Sequence, residues 1–141
     1  MLPKKKNPFF LRDFMGVNPV YITQLESLGI KKAGQMLSFG QTAGMRKIVA
    51  TLVEIPESAV EELVKLSDLS RLPGVKGIRA RLYYDAGVDT VEKLASCDPK
   101  ALLNLTAEFV ARTGFVGIAP LPKEVSSTID NAKMLPKIVE W

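Results

Sequence analysis

The sequence contains no histidine and only one cysteine, Cys97, among its 141 residues. The absence of histidine excludes histidine-ligated metal sites, histidine general bases, and Ser/His or Cys/His nucleophile pairs. A lone cysteine cannot form an intramolecular disulfide, which favours a reducing compartment. We expect Cys97 to fill space in the core rather than to act as a nucleophile.

Long hydrophobic runs are also absent. No apolar run approaches the roughly 20 residues that a membrane-spanning helix needs. The run Lys4–Lys6 and the short apolar segment after it resemble a signal peptide, but Arg12 and Asp13 end that segment too early. We therefore expect a soluble, cytoplasmic protein with no membrane partner, in which residues 1–7 form a solvated basic tail.

The composition points to a globular protein without defining its partner. Hydrophobic residues make up 47% of the chain, which is enough for a sizeable core, and the formal net charge is +4. This mild excess of positive charge is compatible with nucleic-acid binding but is not diagnostic of it. No alternating strand pattern of useful length occurs, so the expected fold is all-α.

Capping residues predict where several helices begin. Asn18, Thr42 and Asp98 each precede a helical apolar pattern, and their side chains can accept hydrogen bonds from first-turn N–H groups. Ser58 and Glu61 have the spacing of a capping box, and Asp89 precedes a further helix.

The apolar spacing predicts which helix faces lie in the core. The expected core positions are Met45, Ile48, Val49 and Leu52, then Val60, Leu63, Val64 and Leu66, and near the end Val125, Ile129 and Ala132. Glu61, Glu62 and Asp68 are expected on an outer, acidic face. The apolar loop 113–121 should pack on the core, and Ile138 and Trp141 should hold the end of the chain in place.

The sequence also repeats itself. A shift of 58 positions places Gly16 on Gly74 and Gly29 on Gly87, with apolar residues matching between them. A slightly larger shift aligns the helix that starts near residue 58 with the one that starts near residue 123. We interpret residues 8–69 and 70–141 as two copies of one helical unit that pack as one compact domain.

The segment 72–82 contains a glycine-rich turn between two predicted helices and includes several basic residues. Backbone N–H groups at a helix N-terminus have no intrahelical partner and attract anions. One hypothesis is that this turn contacts a phosphate backbone. The alternative is a helical corner whose basic residues are only solvated.

This turn resembles the helix-hairpin-helix motif. The second copy matches it at Leu72, Gly74, Val75, Ala80, Tyr83 and Tyr84, and the first copy matches more loosely at Phe14, Gly16, Val17 and Leu25. From about residue 7 to residue 141 the chain resembles an uncharacterised bacterial family of tandem helix-hairpin-helix proteins. Helix-hairpin-helix relatives imply binding to DNA or RNA backbones without sequence preference.

The resemblance identifies candidate phosphate-binding residues in both turns. They are Gly74, Val75, Lys76, Gly77, Arg79 and Arg81 in the second copy and Gly16, Val17 and Asn18 in the first, with Lys31 and Lys32 as flanking charges. The second glycine of the motif, which permits a positive φ, is replaced by Lys76 and Asn18. Either Gly77 takes over the turn and Lys76 supplies charge, or the hairpins are kept only as architecture.

Catalysis is not expected. Some helix-hairpin-helix glycosylases use a lysine nucleophile at the position that Ile78 occupies here, and the aspartate expected near Ser96 is missing. The sequence contains no Walker-type glycine-rich loop with Gly-Lys-Ser/Thr, no dinucleotide fingerprint and no paired acids at metal-binding spacing, so no cofactor or metal is expected. The two functions left open are binding to the DNA backbone, in support of DNA processing or repair, and protein–protein interaction. The surfaces considered for a protein partner are the acidic helix 57–68 and the pair Tyr83 and Tyr84. The alternative for the tyrosines is core packing, which we expect for Tyr83.

Overall fold

The structure is a computed structural model that describes residues 9–141. The basic run Lys4–Lys6 lies outside the described residues. Residues 9–141 form a 3-10 helix, Leu11–Asp13, and eight α-helices. These are α1 (Pro19–Ser27), α2 (Ala33–Phe39), α3 (Ala43–Val53), α4 (Glu57–Leu69), α5 (Gly77–Asp85), α6 (Val91–Ala95), α7 (Pro99–Thr113) and α8 (Pro122–Met134). All regular elements in this range are helices, which confirms the all-α prediction.

The eight helices form two runs of four with the same order. α1 and α5 each contain 9 residues, and α4 and α8 each contain 13. In the first run α2 and α3 pack on α4, and in the second run α6 and α7 pack on α8. The packing partners therefore correspond between the two runs, whereas α2 and α6 contain 7 and 5 residues and α3 and α7 contain 11 and 15.

The backbone at the helix ends corresponds as well. Gly16 and Gly74 have φ values of +76° and +81°, in the left-handed region that glycine adopts without strain. After α1, the N–H of Ile30 donates to the oxygen of Leu25 over 3.0 Å, and after α5 the N–H of Val88 donates to the oxygen of Tyr83 over 2.9 Å. The shared turn conformations explain the spacing of the glycines in the sequence.

The core forms around α4, which contacts α2, α3 and α5. The predicted core positions of α4 and α8 are buried, which confirms the apolar spacing in both helices. The buried side chains are Val60, Leu63, Val64 and Leu66 of α4 and Val125, Ile129 and Ala132 of α8. Tyr83 of α5 is also fully buried, so its ring belongs to this core.

Three of the five predicted helix caps are confirmed. The side chains of Asn18, Thr42 and Asp98 accept hydrogen bonds from first-turn N–H groups of α1, α3 and α7. The other two predictions are wrong. α4 already begins at Glu57 after Pro56, so Ser58 lies inside the first turn, and Thr90 rather than Asp89 caps α6.

The predicted inner face of α3 is only partly right. Val49 is buried as predicted and Met45 is half-buried, but Ile48 and Leu52 are 60% and 63% exposed, and Val53 is buried instead. Arg46 lies on the buried face because its guanidinium donates to the carbonyl oxygen of Gly40 over 2.8 Å and to that of Glu140 over 3.0 Å. A prediction from apolar spacing alone places this arginine in solvent. It therefore assigns Ile48 and Leu52 wrongly to the core.

The last residues of the chain pack on the first run of helices. Val139 is buried, and the N–H of Glu140 donates to the oxygen of Gln41 over 2.7 Å. The cationic groups of Arg46 and Lys65 lie 5.1 and 5.5 Å from the ring centre of Trp141. These contacts confirm that the end of the chain is held in place.

Two glycines test how tightly α2 packs on α4. A Cβ added at Gly40 would collide with the side chain of Val64, whereas one added at Gly34 would meet open space. We expect Gly40→Ala to lower the free energy of unfolding by about 1–3 kcal/mol, as overpacking does. The matched variant Gly34→Ala should raise it by about 0.5–1 kcal/mol, since alanine favours the helix. Urea denaturation of both variants checks this, and equal effects would contradict it.

Candidate nucleic-acid interface

The second turn connects α4 to α5 through the left-handed residue Gly74. Within this turn the N–H of Val75 donates to the oxygen of Leu72 over 3.0 Å, and the Val75 side chain is buried. Gly74 and Lys76 are exposed. The N–H of Val75 is thus engaged inside the turn, and Gly74 and Lys76 are the turn residues that face solvent.

The residues at the motif's second-glycine position need no positive φ. Lys76 has φ −117° and ψ −163°, and Asn18 has φ −64° and ψ 119°, which are both extended conformations. Gly77 does not take over the left-handed turn, because it is the first residue of α5. A positive φ would be unfavourable for lysine, and Lys76 avoids it because its backbone is extended.

The N-terminus of α5 has no side-chain cap among the described residues, and its first residue, Gly77, is buried against the first turn while Ile78 is exposed. Lys76 precedes the helix. The first N–H engaged in a hydrogen bond is that of Ala80, which donates to the oxygen of Lys76 over 2.8 Å. The N–H groups of Gly77, Ile78 and Arg79 find no acceptor within residues 9–141. This helix end therefore retains the partial positive charge that attracts anions.

The first turn differs from the second in this respect. Asn18 Oδ1 accepts a hydrogen bond from the N–H of Val20 over 2.9 Å, and Pro19 has no N–H to offer. The Asn18 side chain therefore occupies the position that an anion would take at the start of α1. The two turns share a backbone conformation, but only the second leaves its helix N-terminus uncapped.

The glycines of the two turns also allow the two runs of helices to approach each other. A Cβ on Gly16 would lie 2.9 Å from Arg81 Nε, and a Cβ on Gly77 would lie 2.5 Å from the carbonyl oxygen of Asp13. Neither position has room for a side chain. Gly16 and Gly77 are thus explained by contact between the two turns, without reference to a ligand.

Arg81 is the centre of that contact. Its side chain is only 8% exposed, and Nε donates to the carbonyl oxygen of Met15 over 2.8 Å. Nη2 lies 2.6 Å from a Glu62 carboxylate oxygen, and Nη1 lies 3.1 Å from one of Asp85. The guanidinium lies over the Tyr84 ring, 5.1 Å from its centre. Every nitrogen of the guanidinium has a partner inside the protein, so Arg81 holds the fold together and does not face solvent.

Arg79 is engaged in the same way. Its Nε and Nη2 donate to the two carboxylate oxygens of Glu124 over 2.8 and 3.2 Å, and Nη1 donates to the carbonyl oxygen of Ile118 over 2.6 Å. Of the three predicted basic contacts in the second copy, only Lys76 is exposed and without an ion-pair partner in the described range.

The predicted acidic outer face of α4 is largely absent. Asp68 is buried and accepts a hydrogen bond from Arg71 Nε over 2.7 Å. Burial raises the pKa of Asp68 although Arg71 opposes that shift. Glu62 pairs with Arg81, which leaves Glu61 as the more exposed acid. The three acidic side chains predicted for the outer face of α4 therefore pair with basic residues instead of forming an acidic surface that would repel phosphates.

The tyrosines offer little surface for a partner. Tyr83 is fully buried, and Tyr84 is half-buried beneath Arg81. Burial raises the pKa of both hydroxyl groups, so both stay protonated near neutral pH. The prediction that Tyr83 packs in the core is confirmed.

The loop 114–121 does not pack on the core as predicted. Val116 and Ile118 are 81% and 82% exposed, although Pro120 is buried. The Phe115 ring lies 6.1 Å from the Phe109 ring, and Arg79 binds the Ile118 carbonyl. These contacts fix the loop beside the start of α5 with the side chains of Val116, Ile118 and Leu121 in solvent. A run of small and apolar residues in the sequence does not distinguish this arrangement from a buried loop.

Within residues 9–141 no group of three or more Cys, Asp or Glu residues has an arrangement that could hold a metal ion. None of the helices described is long and apolar enough to cross a membrane. Cys97 is half-buried, and burial raises the pKa of its thiol, which keeps the reactive thiolate scarce at neutral pH.

The fold and its turns define an all-helical protein made of two similar helical runs that meet at their turns. The chain belongs to the DUF4332 family, a domain of unknown function, whose family model matches residues 15–135. No curated protein and no solved structure showed significant similarity to the chain.

The role of Arg81 leads to a stability prediction. We expect Arg81→Ala to lower the free energy of unfolding by about 3–5 kcal/mol, because it leaves buried partners without their counter-charge. The control is Arg12→Ala, which removes a pair with Glu26 whose arginine side chain is 68% exposed, and little change is expected. Urea denaturation of both variants measures the difference. Equal stability of the two variants would show that Arg81 does not hold the turns together.

Proposed function

We propose that this protein binds the sugar–phosphate backbone of DNA or RNA without reading its sequence, as an accessory to DNA processing or repair. The proposal treats the two helical runs as tandem helix-hairpin-helix units of a bacterial family. It is supported by the left-handed Gly16 and Gly74 and by the corresponding packing of α2 and α3 on α4 and of α6 and α7 on α8. It also assigns the protein a cytoplasmic location and a binding role without catalysis.

One observation carries the proposal. The N-terminus of α5 is uncapped in the described structure, and it follows the left-handed turn at Gly74 and the exposed, unpaired Lys76. Backbone N–H groups and a lysine ammonium are both suitable ligands for a phosphate oxygen. Neither depends on the identity of a base, so the contact would be non-specific.

The remaining candidates take different roles in this proposal. Arg79 and Arg81 shape the turn instead of touching phosphate, and the first turn is architectural because Asn18 caps its own helix. If the second turn and a neighbouring lysine neutralise about 2–3 phosphates, log K should fall with log salt with a slope of about −2 to −3. Such a protein binds weakly at physiological salt and requires a second contact or a partner to stay on DNA.

The first test reverses the charge of Lys76. We expect Lys76→Glu to weaken binding to a random-sequence duplex about tenfold at low salt and to reduce the salt slope by about 1. The reason is that a cation beside phosphate is replaced by an anion. Fluorescence anisotropy across a salt series measures both quantities.

The control for this test is Lys47→Glu, which makes the same charge change at an exposed position of α3. This variant should bind DNA nearly as the unmodified protein does. If both variants lose affinity equally, the attraction depends only on net charge, and the turn is not the site. If the unmodified protein binds no DNA at low salt, the proposed function is wrong.

The second test distorts the turn without changing charge. Gly74→Ala and Gly87→Ala both place a Cβ in a left-handed conformation with open space around it. Each should destabilise the fold by about 1 kcal/mol, since alanine is strained at positive φ. Only Gly74→Ala should also weaken DNA binding, because Gly87 lies at the opposite end of α5. If the two variants bind DNA with equal affinity, the turn at Gly74 is not part of the DNA-binding site.

Protein–protein interaction is the second candidate function. Tyr83 and Asp68 are buried and unavailable to a partner, but a different surface favours this function. Ile48 and Leu52 lie one turn apart on α3 and are both more than half exposed. Under this function, DNA would not bind, and Ile48→Ser/Leu52→Ser would abolish an association that Lys76→Glu leaves intact.

A further inference from the structure

The exposed loop 114–121 lies directly beside the proposed phosphate site. Its residue Gly117 packs so closely on Ile78, the second residue of α5, that an added Cβ would lie 2.6 Å from the Ile78 side chain. Val116 and Ile118 flank this glycine and are more than 80% exposed. Two branched apolar side chains therefore project next to a helix end that attracts anions.

The loop is held in this position by contacts on both sides of its tip. Arg79 donates to the Ile118 carbonyl oxygen over 2.6 Å while its other nitrogens bind Glu124 at the start of α8. Before the tip, Phe115 packs near Phe109 of α7. Because the loop is anchored, exposing Val116 and Ile118 is a stable property of the fold, and little conformational entropy is lost when they contact a partner.

The positive charges beside the loop indicate the chemistry of a binding partner. Lys76 precedes α5 and Lys123 lies in the first turn of α8, and both are exposed with no ion-pair partner in the described part of the chain. The partner must present negative charge and an apolar surface close together. A nucleic-acid strand has this chemistry where its bases are accessible, since phosphates and the flat faces of bases lie side by side.

An intact duplex does not expose base faces, because its base pairs are stacked on each other. A gap, nick or bulge exposes them or lowers the energy needed to separate one base step, and apolar side chains are known to enter such steps. We propose that Val116 and Ile118 insert at interrupted or unpaired positions of DNA, so that the preferred substrate is gapped or bulged DNA rather than intact duplex. This inference rests on the proposed function, since it assumes that the neighbouring turn binds phosphate.

The test compares two DNA substrates and two variants. The unmodified protein should bind a duplex with a one-nucleotide gap about tenfold more tightly than the matching intact duplex, since two exposed side chains become buried. Val116→Ser/Ile118→Ser should lose this preference and keep its affinity for intact duplex. The control Met134→Ser removes an apolar side chain of equal exposure, 81%, from the opposite end of α8 and should keep the preference.

A 2-aminopurine placed beside the gap gives a second readout, because its fluorescence changes when a side chain enters the base step. Equal binding of both DNA substrates by the unmodified protein, or a preference that survives in the double variant, would overturn the insertion while leaving the phosphate contact intact. Absence of binding to either substrate would overturn both proposals. The experiment with Lys76→Glu reports on the phosphate contact separately.

Discussion

The architecture depends on the buried guanidinium of Arg81. A desolvated charge is tolerated only when its donors are satisfied, and Arg81 meets this condition with Met15, Glu62 and Asp85. These partners belong to the first turn, to α4 and to α5 itself, so one side chain determines how the first turn lies on the second run of helices. Gly16 is required because its missing Cβ leaves room for this arginine.

The need to pair partly buried arginines with carboxylates also explains why the candidate interface is small. Arg79 and Arg81 lie near the turn in the sequence, where a phosphate contact was predicted for both, but carboxylates from other helices neutralise both. What remains is an uncapped helix end, Lys76 and an apolar loop that Arg79 holds in place. This is the surface that we propose makes a weak, sequence-independent contact with a nucleic-acid backbone.

Local sequence features predicted much of the fold. Asn18, Thr42 and Asp98 cap helices as expected, because a cap depends on a side chain and the backbone next to it. Glycines at matching positions predicted matching turns for the same reason. The wrong predictions involve residues whose partners are not their immediate neighbours in the sequence. Arg46 lies on the buried face of α3, where it binds the carbonyl oxygen of Glu140. Asp89 does not cap α6, and its carboxylate binds Lys65 and Lys93 instead.

The sequence by itself determined the helical class, the positions of the left-handed glycines and the core faces of α4 and α8. These features follow from backbone preferences and apolar spacing within a few residues. Only the tertiary structure decided which charges are free and which apolar residues are exposed. Arg81 meets Met15 across 66 positions, and Arg79 meets Ile118 across 39. Pairing over such separations depends on how the helices pack, and packing decided that Lys76, Val116 and Ile118 would face solvent.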